Sequence, residues 1–189
     1  MRRGLLIVIS GPSGVGKDTI IQRLLKLDAN LVYSVSGTTR KPRQGEKPDE
    51  NYTFLTREQF LDYIEKDAFL EHANYNGNMY GTFRHRVEDA REAGRDVVLK
   101  IDVQGAEQVR RLVPEAVSIF VVAPSEEELS QRREHRGSES HEELESRRKI
   151  AEKEMAYASR YDHVVTNDDV DRAVNEILML IERARRRVP

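Results

Sequence analysis

The stretch Gly11-Pro12-Ser13-Gly14-Val15-Gly16-Lys17-Asp18-Thr19 carries the residue types and spacing of a phosphate-binding loop. Its glycines let backbone N–H groups converge on phosphate oxygens, and a helix opening at Lys17 adds partial positive charge at the same point. Lys17 opposes the helix dipole, an unfavourable placement unless an anion regularly occupies the site. In the general motif a hydroxyl follows the lysine and ligates Mg²⁺. Here the residue is Asp18, with Thr19 next. A carboxylate is a hard oxygen ligand suited to Mg²⁺ and favourable at a helix start, yet it brings negative charge toward a triphosphate. Asp18 is therefore the candidate metal ligand, most of the Mg²⁺ shell being expected from phosphates and water, and a compensating cation is expected nearby.

A second group of donors follows. Arg40 and Arg43, three residues apart, offer planar forks suited to a phosphate monoester, and Tyr52 and Tyr80 carry hydroxyls that add donors. On residue type alone, a solvated basic loop would look the same. The five histidines have no zinc-ligand spacing and read as surface or structural groups.

These residues need a scaffold, and the sequence describes one. Apolar runs at Leu5 to Ile9, Asp96 to Ile101, Val117 to Val122 and His163 to Thr166 alternate with helical patterns, which predicts an α/β domain with a mainly parallel central sheet. The first helix runs from Lys17 to about Leu27, with Ile20, Ile21, Leu24 and Leu25 at core spacing. In the last helix Val170, Ala173, Val174, Ile177, Leu178 and Ile181 form one stripe, and its closing basic run suits a helix C-terminus. Two stretches depart from the alternation. Residues 34–83 are rich in loop and strand patterns, around a helix opened by a Thr56/Gln59 capping box. Residues 125–158 hold capping patterns at Ser125/Glu128 and Ser140/Glu143, many charges and few apolar residues, the pattern of a weakly anchored segment able to move.

Composition narrows the class further. A length of 189 residues fits one domain with a real core, and a net charge of -2 gives no bulk attraction to nucleic acid. With no cysteine there is no disulfide framework, which fits a reducing compartment, and a cytoplasmic location is expected. The apolar run after Arg2 and Arg3 is too short for a leader and reads as a buried strand. No segment reaches the roughly 20 apolar residues needed to span a bilayer, so neither membrane nor nucleic acid is an expected partner.

The segment from Ser34 through Gly37-Thr-Thr-Arg-Lys-Pro-Arg-Gln-Gly-Glu46, then Tyr52, Glu71-His-Ala-Asn-Tyr-Asn-Gly-Asn-Met-Tyr-Gly-Thr82 and Ile101-Asp-Val-Gln-Gly105, closely resembles the guanylate kinase family. With the phosphate loop, Arg132, Arg136, Arg147 and the "VVTNDD" run at Val164 to Asp169, the resemblance covers nearly the whole chain in the family's order. It implies a P-loop nucleoside monophosphate kinase that uses ATP and Mg²⁺ to phosphorylate GMP, and dGMP more weakly, in the recycling of GMP and supply of guanine nucleotides. The implied layout is one domain with a core (1–33, 84–124, 159–189), a GMP-binding insertion (34–83) and a helical lid (125–158), as a monomer or homodimer.

The resemblance also implies roles. Lys17 and the loop amides of Gly11 to Thr19 hold the ATP phosphates, Asn167 and Asp168 lie on the adenine side, and Arg136 and Arg147, with Arg132, bring charge from the lid. Arg40, Arg43, Tyr52 and Tyr80 hold the GMP phosphate. Glu71 can accept from guanine N1–H and its amino group, Ser36 or Thr82 can reach the O6 or amino edge, and Asp102 matches another contact near the base. Adenine presents an N1 lone pair to that carboxylate and would be rejected. Taken alone, Glu71 also reads as an exposed acid, Asp102 as a helix cap near Gln104, and Asn167-Asp168 as a cap and turn.

The sequence departs from the family at two connected places. Lys100 stands where the family usually has an acid, two residues before Asp102, on a strand that should end beside the phosphate loop. A hydroxyl and an acid have thus become Asp18 and Lys100. The pair is expected to compensate, or Lys100 to offset Asp18 while it helps hold hydrated Mg²⁺, or each to act alone at the surface. Arg133 and Arg148 replace commoner apolar residues in the lid segment. A non-catalytic binding module of the same fold and a kinase of phosphorylated sugars are the competing functions.

Overall fold

The computed structural model describes residues 2–134 and 155–187. A five-stranded parallel sheet has the order β2 (Leu31–Tyr33), β7 (Asp96–Lys100), β1 (Leu6–Ser10), β8 (Val117–Val122) and β9 (His163–Thr166). Its central strand is buried along its whole length and shows why both faces are apolar. Ile7 and Ile9 pack with α1 (Lys17–Leu27) and α6 (Val170–Arg185) through Ile20, Leu24, Val174 and Ile177. Leu6 and Val8 face the other way, toward Val87 of α3 (Arg84–Glu92) and Ala106 and Val109 of α4 (Val103–Leu112). The expected α/β class holds. Leu31–Tyr33 forms an edge strand too short to stand out as a run, and Leu25 and Leu178 are only partly buried at the margin of the core.

A second sheet, β4 (Thr53–Phe54), β3 (Gly37–Thr38), β6 (Asn78–Phe83) and β5 (Phe69–Tyr75), lies within residues 34–83. It packs on α2 (Arg57–Glu65) through Phe60, Phe69 and Phe83. The Thr56/Gln59 box forms in both directions, Gln59 N–H donating to Thr56 Oγ1 (3.1 Å) and Thr56 N–H to Gln59 Oε1 (2.8 Å). Glu128 N–H donates to Ser125 Oγ (3.2 Å) as α5 (Glu126–Glu134) opens. The Ser140/Glu143 pattern and Arg148 lie outside the described residues, as does the Arg133 side chain.

One charged cluster fastens the ends of the large sheet. Asp96, fully buried at the start of β7, accepts from Leu5 N–H (2.7 Å), Arg2 (3.0 Å), Asn30 Nδ2 (3.0 Å) and Arg185 Nε (2.7 Å). Arg185 also reaches Asp28 (2.6 Å) and Glu182. The basic run that sequence assigns to a helix terminus therefore supplies a tie between α6, α1 and β7. Burial alone would raise the Asp96 carboxyl, but the Leu5 amide and the Arg185 and Arg2 guanidiniums outweigh it and hold it below the usual range. A carboxyl lowered on folding contributes stability above its unfolded value and loses it as pH falls through the folded one. Asp96→Asn should lower the unfolding free energy by about 3 kcal/mol at neutral pH, and the gap from the wild type should narrow below about pH 4; urea denaturation across pH measures both.

Candidate active site

The loop after β1 is shaped by backbone conformation. Gly16, at φ 92°, is the N-cap of α1; its left-handed backbone disfavours other residues, and an added Cβ would lie 2.6 Å from Asn167 Nδ2. Having no side chain, Gly16 cannot cap the first-turn amides, which leaves them for an anion. Lys17 Nζ curls back and donates to the carbonyls of Gly11 and Pro12 (3.0 Å for the latter). From the end of β9, buried Asn167 donates Nδ2–H to Val15 O (2.7 Å), bracing the loop apex from beneath.

At the C-terminal end of β7, Lys100 pairs in register with Ile9, which brings its ammonium beside the loop. There it forms an ion pair with Asp18 and lies over the rings of Tyr52 (5.3 Å) and Tyr33 (6.0 Å). Burial is the main influence on the Tyr33 hydroxyl and pushes its pKa up to about 12.

Farther along the wall stand the donors from the second sheet. Arg40 forms an ion pair with Glu46 (2.8 Å), and its guanidinium lies 5.3 Å from the Tyr52 ring centre. Glu46 also accepts from the Arg43 N–H (2.7 Å). Burial would raise the Glu46 carboxyl, but Arg40 and the Arg43 amide hold it below the ordinary carboxylate range. Tyr52 and Tyr80 meet edge to face at 5.9 Å.

Glu71 is 4% exposed, on β5. Thr82 of β6, directly opposite, donates Oγ1–H to its Oε1 (2.6 Å). A Cβ on Gly105 would fall on Glu71 Oε2, so the helix that carries Gly105 approaches the carboxylate as only glycine permits. Burial pushes the Glu71 pKa up to about 7, with the Thr82 hydrogen bond opposing and the Asp102 charge assisting. Asp102 caps α4, accepting from Gly105 N–H (2.9 Å) while Gln104 Nε2 donates to its other oxygen (3.0 Å).

A single cavity of about 480 Å³ joins these groups. The loop residues Gly11, Ser13, Gly14, Gly16, Lys17 and Asp18 line it together with Ser36, Glu71 and Asp102 and with Arg40, Arg43, Tyr52, Tyr80 and Lys100. The family model for guanylate kinase matches residues 3–184. The chain belongs to the guanylate kinase family. It is 50% identical to the guanylate kinase of Desulfitobacterium hafniense (strain Y51), over 96% of this chain and 92% of that one. With the guanylate kinase of Rubrobacter xylanophilus the identity is 49%, over 97% and 96%. Among solved structures, the guanylate kinase from Anaplasma phagocytophilum superposes with a TM-score of 0.82 at 36% identity, covering 96% of this chain and 86% of that one.

Several residues expected at the site stand behind the cavity wall or away from it. Thr82 and Asn167 are buried beneath the wall and orient Glu71 and the loop. Pro12 and Val15 offer carbonyls to Lys17 and Asn167, and Thr19 is exposed on α1. Asp168 is exposed and accepts from Arg172 Nε (2.7 Å) and from Asp169 N–H (2.7 Å). Arg136 and Arg147 lie outside the described residues, as does the side chain of Arg132. Sequence reasoning assigned no role to Glu46, Tyr33 or Gly105. Glu46 carried a signal, an acid three and six residues after two arginines; the others depend on contacts distant in sequence.

The Glu71 carboxyl should titrate near pH 7 when followed by ¹³C NMR of the side-chain carbon. Thr82→Val, which removes a donor to the charged form, should move that midpoint upward.

Proposed function

We propose that the chain transfers the γ-phosphoryl group of ATP to GMP, giving ADP and GDP. The observation that carries this reading is one cavity lined by a phosphate loop, a buried carboxylate and two arginines. An oxygen of the GMP phosphate attacks the γ-phosphorus as the bond to the β,γ-bridging oxygen breaks, and that oxygen leaves with the electron pair on ADP. Little covalent chemistry falls to the protein, so positioning and charge stabilisation are its work.

In this reading Lys17 and the loop amides hold the donor phosphates, and Arg40, Arg43, Tyr52 and Tyr80 hold the acceptor phosphate. Glu71, ionised, accepts from guanine N1–H and the amino group, with Ser36 and Asp102 at its rim. Residues 34–83 act as the GMP-binding part and 125–158 as the lid, with the charges of Arg136 and Arg147 assigned to the transferring group. The donor set fits Mg²⁺: Asp18 offers a hard oxygen on the cavity wall, and no group of three acidic, histidine or cysteine side chains forms a cage among the described residues. Such a site takes the ion together with the triphosphate, where Mg²⁺ supplies neutralisation of phosphate charge. No helix among the described residues is long and apolar enough to cross a membrane.

A coupled assay with ATP and Mg²⁺ should give rapid turnover with GMP, slower turnover with dGMP and little with AMP, UMP or ribose 5-phosphate. Equal use of AMP or the sugar phosphate, or no turnover with any, would overturn the reading in favour of a different acceptor or a binding module. Glu71→Gln should lower kcat/KM for GMP by about 10- to 100-fold, because it sets an amide against the guanine donors. Gly105→Ala, which displaces the same carboxylate, should raise the KM for GMP while leaving that for ATP close to the wild-type value.

A further inference from the structure

Three cations reach the cavity wall with their partners defined, and one of them is unaccounted for by the roles above. Lys17 is held by loop carbonyls and Arg40 by Glu46. Lys100 is held by Asp18 at one side and by the face of Tyr52 at the other, so its ammonium lies between the loop that would bind the donor and the tyrosine that would bind the acceptor phosphate. We propose that Lys100 is a phosphate-contacting residue of the transfer itself: in the free protein Asp18 tethers it, and with both nucleotides present it turns onto the phosphate oxygens where they meet. The proposal rests on the ATP and GMP reading for the identity of those phosphates.

The physical case has three parts. The side chain of Lys100 is 16% exposed while that of Asp18 is 59% exposed, so the cation is fixed near the cavity and its partner is largely in water. An ion pair with so exposed a partner is weak and readily exchanged for one with phosphate, which carries more charge and more acceptor oxygens. A lysine is a compact charge on a flexible stem, able to swing between Asp18 and a phosphate while the rings of Tyr52 and Tyr33 keep it close to the cavity. Burial would lower its pKa, but the surrounding tyrosines and Asp18 outweigh that and keep it protonated. Lys100 gives up no proton in the step; it stabilises negative charge on the oxygens as the bond to the acceptor forms and the bond to ADP breaks.

Lys100→Met is the test, made in the wild type and again in an Asp18→Asn background. If the lysine only offsets Asp18, its removal costs nothing once Asp18 is neutral. If it contacts phosphate, kcat/KM for GMP falls by about 10-fold or more in both backgrounds. Calorimetric binding of metal-free tripolyphosphate should weaken in parallel, a readout that needs neither turnover nor Mg²⁺. Lys100→Gln and thermal melting guard against a folding defect, since the two variants should share the loss while melting near the wild type. A change of less than about twofold in both measurements in the Asp18→Asn background overturns the proposal. Should the wild type not phosphorylate GMP, the functional reading fails, and tripolyphosphate binding still decides whether Lys100 meets phosphate.

Discussion

Cations gathered in a shielded cavity repel one another and lose hydration, so each must be held until an anion arrives. That constraint organises the cavity. Lys17 is held by the carbonyls of Gly11 and Pro12, Arg40 by Glu46, and Lys100 by Asp18. Every holder is an oxygen of the protein, so an anion that enters would exchange one set of acceptors for another and would not start from bare charge. Glu46 shows how finely this is arranged, since one carboxylate takes the side chain of Arg40 and the backbone of Arg43 together. It shapes the loop while it occupies the guanidinium.

The opposite demand applies to Glu71. A carboxylate buried to 4% exposure resists ionisation, and among the described residues only Thr82 donates to it. Near neutral pH it therefore stands close to the balance between charged and neutral forms. A group that brings two N–H donors would shift that balance toward the carboxylate, and one that brings a lone pair would shift it toward the neutral acid.

What the sequence disclosed and what it hid follow from contact distance. The phosphate loop was legible because strand, glycines, lysine and helix are contiguous, and the long amphipathic stripe of α6 and the Thr56/Gln59 box for the same reason. The brace from Asn167 to Val15 spans 152 positions, and nothing local distinguishes it from an ordinary cap before a helix. Nothing local marks Gly105 as the residue that the fold sets against Glu71. The strands at Gly37–Thr38 and Thr53–Phe54 are two residues each, too short for any period to register. Asp96 and Arg185 illustrate the same limit in the core, since an acid opening a strand and a base ending a helix gave no sign of meeting. The Asp18 and Lys100 exchange was the exception, a long-range pair betrayed by charge.

The helix α4 connects these layers mechanically. Its N-cap is Asp102 on the cavity wall, its first turn holds Gly105 against Glu71, and Gln104 and Gln108, on either side of that glycine, reach the edge strand β5. Gln108 accepts from His72 N–H (3.2 Å) and donates to His72 O (2.7 Å), and Gln104 donates to Asn74 O (3.1 Å). These side chains satisfy backbone groups that an edge strand would otherwise leave open, as a neighbouring strand would. The second sheet is thereby fastened to the core along the strand that carries Glu71. Any displacement of that sheet relative to the phosphate loop must either carry α4 with it or break the glutamine contacts. The part of the cavity wall that carries Glu71 is thus referenced to the core through one helix, and the helix is anchored to the large sheet by Ala106 and Val109 in the apolar layer beneath β1 and β7.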